Sequence, residues 1–489
     1  MDFLDPKKRR AHTRRLYIGY VLVGVAIGLG ALILLFASFG YSVDTKGNVF
    51  QNGLVFLSST PESAQVKITN KAGSFSQEVI TSDRLELKAD TYNFQFLKQG
   101  YKPWQHAFDI AGGSIERLVY PFLVPETLKT DVAEEYAIAP GLVTQSPDRQ
   151  TILVQQADSL TNFQVFESNN LAKAPTTFTI PNNVLPTGST ARSYQLVEWS
   201  TNNRHVLLRY DSDTGPVFIV IDRENPERSR NLNAYFGLTP TKLTLRDKNP
   251  EKFYITLPDK RLIAAEVENK LTRDIATNVI DFKSHGNNDI LYVTTTNAQP
   301  NKVLAMVLSD NKAYEVRELP LTDKYILDLA QYRNEWYVVV GASNATEAYI
   351  YRDPVLARKQ SNNTTATIRT VRLTNPQRVM FSATSRFIAI QEGSNFVVYD
   401  AEKDEQYRFT VNPNYDDPNA VRWMDGHRLM GSTGSKVLII DFDGTNQQTL
   451  SPMVPSTQPM FDDNYEQLNT LAPNGTGQAL TNTAMRVTQ

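Results

Sequence analysis

"LVEWSTNNRHVLLRY", residues Leu196 to Tyr210, is an apolar run, a polar turn and a second apolar run. Leu, Val, Trp and Tyr suit a pleated, half-buried surface, and Thr201-Asn202-Asn203 are turn formers, so the stretch predicts two antiparallel strands. The same phrase returns along the chain: "LVTQSPDRQTILVQ" from Leu142, "TLRDKNPEKFYITL" from Thr244, "IDFKSHGNNDILYV" from Ile280, "LDLAQYRNEWYVVV" from Leu327, "VMFSATSRFIAIQ" from Val379, "VRWMDGHRLMGS" from Val421 and "LNTLAPNGTGQALT" from Leu468. With Gln145, Trp199, Leu245, Phe282, Leu329, Phe381, Trp423 and Leu471 taken as equivalent points, the intervals run from about 37 to about 54 residues and average roughly 47.

A four-stranded propeller blade needs about 40 to 50 residues, so residues 126–489 predict a β-propeller. Between the anchors lies a second unit, an apolar strand that ends on Asp and turns: "VFIVIDRENPE", "NFVVYDAEKDEQYRF" and "KVLIIDFDGTNQQTL". Asp441-Phe442-Asp443-Gly444-Thr445-Asn446 in the last of these invites a calcium reading, but it lacks the following glutamate and a flanking helix, so a hairpin turn between the outer two strands of a blade is expected. These hairpins, with "SPDRQTILV", resemble the WD40-like, TolB-type propeller repeats of bacterial envelope proteins. Eight anchors suggest eight blades and the irregular intervals leave seven open; the C-terminal "ALTNTAMRVTQ" is expected to close the ring with a strand from Val132 to Ala139.

Working outward to the N-terminus, Lys7, Lys8, Arg9, Arg10, Arg14 and Arg15 stand against Asp2 and Asp5 in residues 1–15, and Leu16 to Val43 holds no charged residue. Some 24 helical residues, 16–39, rise about 36 Å, enough to cross a hydrocarbon core of about 30 Å. The cations are expected to fix topology, with residues 1–15 in the cytoplasm and the bulk of the chain outside. Ser38-Phe39-Gly40 could pass for a signal-peptide cleavage site, but the apolar stretch is longer than the usual 7 to 15 residues, so a retained anchor is the expectation. Gly24 and Gly28 have the spacing of a helix-pairing face, or are ordinary membrane composition.

After a linker, residues 40–52, "GLVFLSSTPESAQVKIT" (Gly53 to Thr69) sets two strand-like runs about a Pro61 corner and reads as a hairpin. Tyr92, Phe94 and Phe96 alternate with polar residues, as a strand with one buried face does. Pro61-Glu62-Ser63-Ala64, Asp90-Thr91-Tyr92 and Gly100-Tyr101 resemble the PEGA domain, a small β-sandwich of bacterial surface proteins, over residues 53–124. Ser63 and Asp90 stand where that family has glycine. The resemblance implies a spacer or wall-proximal adhesion module with no catalytic residues. The overall expectation is an all-β exterior behind one membrane helix.

Chemistry is bounded mostly by exclusion. Cysteine is absent, so there is no disulfide framework, thiolate metal site or thiol nucleophile. The net charge of −2, less +4 in the tail, leaves the exterior near −6, which gives phosphate backbones little to gain; no nucleic-acid partner is expected. His12, His106, His205, His285 and His427 are scattered, no G-x-S-x-G elbow occurs, and no metal or cofactor is expected. The acids Asp211, Asp213, Asp416 and Asp417 read as solvated loop residues, and Trp199, Trp336 and Trp423 as packing between blades. Tyr325, Tyr332, Trp336 and Tyr337 form a denser aromatic patch that could stack on a sugar or peptide. Two function classes follow: a membrane-anchored binding or assembly protein whose propeller engages an envelope glycan, peptide or protein, or a surface glycan hydrolase or lyase using acids in the propeller channel.

Overall fold

The computed structural model describes residues 6–43, 47, 49–157, 159–185, 193–286, 288–360 and 367–487, with side chains from His12 onward. The chain divides into two units, Met1–Thr127 and Leu128–Gln489.

The first unit opens with the helix Pro6–Ser38. Its His12–Ser38 portion is long and apolar enough to cross a membrane and buries none of its surface in the protein. Eight strands follow in two four-stranded sheets. Val49–Leu57 pairs antiparallel with Tyr41–Val43 and Asp83–Lys88 and parallel with Ile115–Leu118. Ser76–Ile80, Gln65–Asn70, Asp90–Leu97 and Trp104–Ile110 make the other sheet in that order. Tyr92, Phe94 and Phe96 are buried while their neighbours along the strand are not, as the alternation requires.

The stretch from Gly53 to Thr69 is not a hairpin. Val49–Leu57 and Gln65–Asn70 flank the corner but belong to different sheets, so the chain crosses between sheets there. The step from Asp83–Lys88 to Asp90–Leu97 crosses in the same way. Alternation finds strands and faces but does not choose their partners, which is why the local reading paired sequence neighbours. Ser63 holds φ +59°, the left-handed region that glycine fills without strain, whereas Asp90 lies in extended backbone at the start of its strand.

The second unit contains eight consecutive four-stranded antiparallel sheets among the described residues. The first seven take their strands in chain order, spanning residues 142–179, 195–231, 242–276, 279–320, 325–372, 378–410 and 422–452. The eighth takes Met460–Phe461, Gln467–Asn474 and Gly477–Ala484 from the C-terminal end and Thr130–Tyr136 as its outer strand. First strands of successive sheets lie against one another from sheet one to sheet seven. Gln145 Nε2 then donates to the Phe461 carbonyl (2.8 Å), joining sheet one to sheet eight, and Ile152, Val154, Phe166 and Leu171 pack with Met460 and Leu480 across the same junction. The ring is a β-propeller.

Seven of the eight sequence anchors fall on first strands, but Leu471 lies on the second strand of its sheet. The corresponding first strand is the two-residue Met460–Phe461, too short to register as an apolar run. The ring-closing strand expected at Val132–Ala139 is Thr130–Tyr136, paired to Gly477–Ala484. Asp441 to Asn446 turn between the third and fourth strands of sheet seven, with Asn446 Nδ2 donating to the Asp441 carboxylate (2.9 Å).

The Asp-ended strands have a structural purpose. Arg204 precedes the second strand of sheet two and gives two parallel hydrogen bonds to Asp222 at the end of the third strand (2.7 and 2.6 Å). Arg386 and Asp400 repeat the fork in sheet six (2.9 and 2.6 Å), and Arg428 approaches Asp441 in sheet seven at 3.9 Å. A planar guanidinium matches a carboxylate fork, so each pair ties the turn before one strand to the end of the next.

Candidate functional site

First strands face the propeller axis, and the polar residues they carry link one sheet to the next. Trp199 Nε1 donates to Thr144 Oγ1 (3.1 Å), and Glu198 accepts the Leu245 N–H and pairs with Lys248. Lys242 bridges to Asp281 and to the Phe282 carbonyl (both 2.7 Å). Lys242 and Lys248 thus each meet a carboxylate.

A cavity of about 560 Å³ is walled by residues of the first strands of sheets four to seven and by Arg149, which lies in the first turn of sheet one. Its charged groups are Arg149, Lys283, Arg378, Arg422 and Asp328. Arg149 Nη2 donates to the Met424 carbonyl (2.5 Å), and its guanidinium lies 4.6 Å from the Tyr465 ring centroid. Arg378 Nη1 donates to the carbonyls of Pro418, Asn419 and Val421 (3.1, 2.7 and 3.2 Å), and Arg422 donates to that of Pro459. These bonds go to neutral oxygens, so they fix the guanidinium groups without cancelling their charge. Among the described residues none of the four cations is ion-paired, and the buried Nε–H of Arg422 has no hydrogen-bond partner.

Electrostatics follow from this crowding. Burial pushes the Arg422 guanidinium down to about 9, and the like charge of Arg149 adds to the shift. Burial also lowers Arg378, against a smaller opposing field from Asp417. Asp328 is raised by burial, although Lys283 and the Leu329 N–H (3.0 Å to Oδ1) favour its ionised form. The rings of Tyr325, Phe381 and Trp423 complete the wall.

The four aromatic residues proposed from sequence are not gathered into one surface. Tyr325 and Tyr332 begin and end one eight-residue strand, about 23 Å apart at about 3.3 Å per residue. Trp336 and Tyr337 are consecutive and so point to opposite faces. Trp336 packs on the core shared by sheets four and five and stands edge-on to His285 (5.2 Å); Tyr337, 1% exposed, packs toward sheet six. Of the four, Tyr325 alone lines the cavity. Of the cations expected to fix topology, Arg14 and Arg15 are exposed on the N-terminal helix, while the side chains of Lys7, Lys8, Arg9 and Arg10 lie outside the described residues. Asp211 pairs with Arg209, and Asp416 and Asp417 accept backbone N–H groups in turns. The cavity's cations escaped sequence reading, although Arg378 and Arg422 are lone charges in apolar first strands, "QRVMF" and "VRWM".

No group of three His, Asp or Glu residues that could hold a metal ion occurs among the described residues. His427 packs near Phe387 and Phe442 (5.5 and 6.3 Å between centroids). Burial pushes its imidazole down to about 4, with Asp425 and Asp400 opposing and Arg428 and Arg386 assisting. The unfolded chain therefore takes up this proton first as pH falls. The propeller is expected to lose up to about 3 kcal/mol between pH 6.5 and 4 through this group, and His427→Phe to flatten that part of the profile in denaturant titrations at several pH values.

No family model matches the chain, and no curated protein matches it. Among solved structures it is similar to the β-propeller domain of Myceliophteria thermophila Cps50 (Swd1), at 10% identity and TM-score 0.41 over 67% of this chain and 100% of that one. The Dos1 propeller is similar at 11% identity and TM-score 0.44, over 73% and 95% of the two chains. An oligogalacturonate lyase in complex with manganese is similar at 8% identity and TM-score 0.38, over 71% and 99%. The propeller assignment rests on the sheet order and ring closure themselves.

Proposed function

We propose that this protein is a single-pass, membrane-anchored binding or assembly protein. Residues 1–15 remain in the cytoplasm, residues 16–39 span the bilayer, a PEGA-like sandwich over residues 53–124 serves as spacer, and an eight-bladed propeller over residues 126–489 engages an envelope glycan, peptide or protein outside. The observation that carries the reading is the channel cavity, whose wall presents four unpaired cations and three aromatic rings beside one carboxylate. Rigid first strands hold these groups in place, which is what recognition needs. Glycoside hydrolysis asks for two carboxyl groups about 5 to 9.5 Å apart, so a wall with one carboxylate supports binding over that chemistry. The N-terminal cations, next to an apolar helix, support the orientation.

Protease treatment of intact cells tests the topology: the exterior is expected to be digested and a small N-terminal fragment protected, whereas protection of the whole chain reverses the orientation. Retention of the purified full-length protein on isolated envelope fragments tests binding, and a protein that stays wholly unbound to them removes the reading.

A further inference from the structure

We propose that the channel cavity binds a ligand carrying two or more oxyanion charges, phosphate or carboxylate; the inference rests on the binding reading above and names its ligand class. Four features converge on it. Arg149, Lys283, Arg378 and Arg422 share one cavity of about 560 Å³, within the range of small-ligand sites and large enough for a sugar phosphate or an acidic disaccharide. The guanidinium groups are held by backbone carbonyls of neighbouring sheets, so they are preorganised, yet none of them is ion-paired to a carboxylate among the described residues. Arg378 and Arg422 are partly desolvated without an ion-pair partner, which costs folding free energy, and an anion in the cavity relieves that cost. The buried Nε–H of Arg422, which has no partner among the described residues, is a donor left for such a group.

The remaining wall fits the same ligand. Asp328 is the carboxyl among the cavity's charged groups, and burial raises its pKa against the opposing field of Lys283. Trp423, half-buried in the wall, supplies apolar ring surface for the uncharged body of the ligand. Lys242–Asp281 and Lys248–Glu198 are neutral pairs, so an anion in the channel is drawn to the wall that carries Arg149, Lys283, Arg378 and Arg422.

Calorimetric titration of the full-length chain in detergent with inorganic pyrophosphate, citrate and maltose tests this. At least one of the two anions is expected to bind with Kd below about 1 mM and to weaken at least about threefold when salt rises from 50 to 200 mM. Tetrahedral pyrophosphate against planar carboxylates distinguishes a phosphate source from an acidic sugar. Lys283→Met removes an exposed ammonium that makes no hydrogen bond or ion pair among the described residues and acts on Asp328 only through its field, so it is expected to weaken anion binding at least about fivefold with the chain still folded. Arg422→Lys, which keeps the charge but loses the Nε–H, is expected to weaken it less than Lys283→Met. Absence of binding by both anions overturns the inference, as does binding indifferent to Lys283→Met, which means an adventitious site. Maltose binding that is lost in Trp423→Ala but kept in Lys283→Met overturns it too, while leaving the broader binding reading intact.

Discussion

A chain ending at Asn474 is expected to accumulate as insoluble protein. The strand Gly477–Ala484 is the third of the eighth sheet and pairs on one side with Gln467–Asn474 and on the other with Thr130–Tyr136. Its loss strips both neighbours of their partner. It also removes Leu480, fully buried against Ile152, Val154, Phe166, Leu171 and Met460, so the junction that closes the ring loses its apolar filling. Burying a leucine is worth about 2 kcal/mol, and the whole strand several times that, which is comparable with the net stability of a domain. Two open strand edges add an aggregation template. Comparison of soluble yield and melting temperature with the intact chain checks this; a truncated protein melting within a degree or two of the original shows that the ring does not depend on this closure.

Arg386→Met is expected to cost about 3 to 5 kcal/mol and to lower Tm by on the order of 10 °C. Asp400 is fully buried and accepts from Arg386 Nε and Nη2 and from the backbone N–H groups of Glu402 and Lys403 (2.8 and 3.3 Å). Taking away the guanidinium leaves a carboxylate in the interior with half its bonds and no counter-charge. The double variant Arg386→Met/Asp400→Leu removes both charges and is expected to cost less than the single one. Equilibrium urea unfolding of the three proteins decides the matter; a single variant within about 0.5 kcal/mol of the parent means that the pair is ornamental.

The propeller was legible in the sequence because its unit is local. A first strand, a short turn and a second strand lie within 15 residues, and seven anchors identified first strands correctly. What was not legible depends on partners far along the chain. The corner at Pro61 looks like a hairpin from within, and nothing in residues 53–69 says that its second arm joins Asp90–Leu97 rather than the first arm. The candidate site is harder still. Arg149 and Arg422 are separated by most of the propeller in sequence and brought to one wall by ring closure, so their shared cavity follows from the fold and not from any spacing. Conversely Trp336 and Tyr337 are neighbours in sequence and are divided by the pleat.

Closure by an N-terminal outer strand also sets a schedule for folding. Thr130 hydrogen-bonds Thr483, 353 residues later (2.8 Å), so the ring cannot be sealed until nearly the whole unit has been made. At about 5 to 20 residues per second, Thr130–Tyr136 emerges roughly 20 to 70 seconds before its partner exists. An unpaired strand held that long invites pairing with another chain. This one reads Thr-Asp-Val-Ala-Glu-Glu-Tyr, and Asp131 and Glu135 stay exposed even in the finished sheet. Charges along a waiting edge repel a second copy and keep it in water, so the composition of this strand protects the nascent protein during synthesis as much as it serves the completed ring.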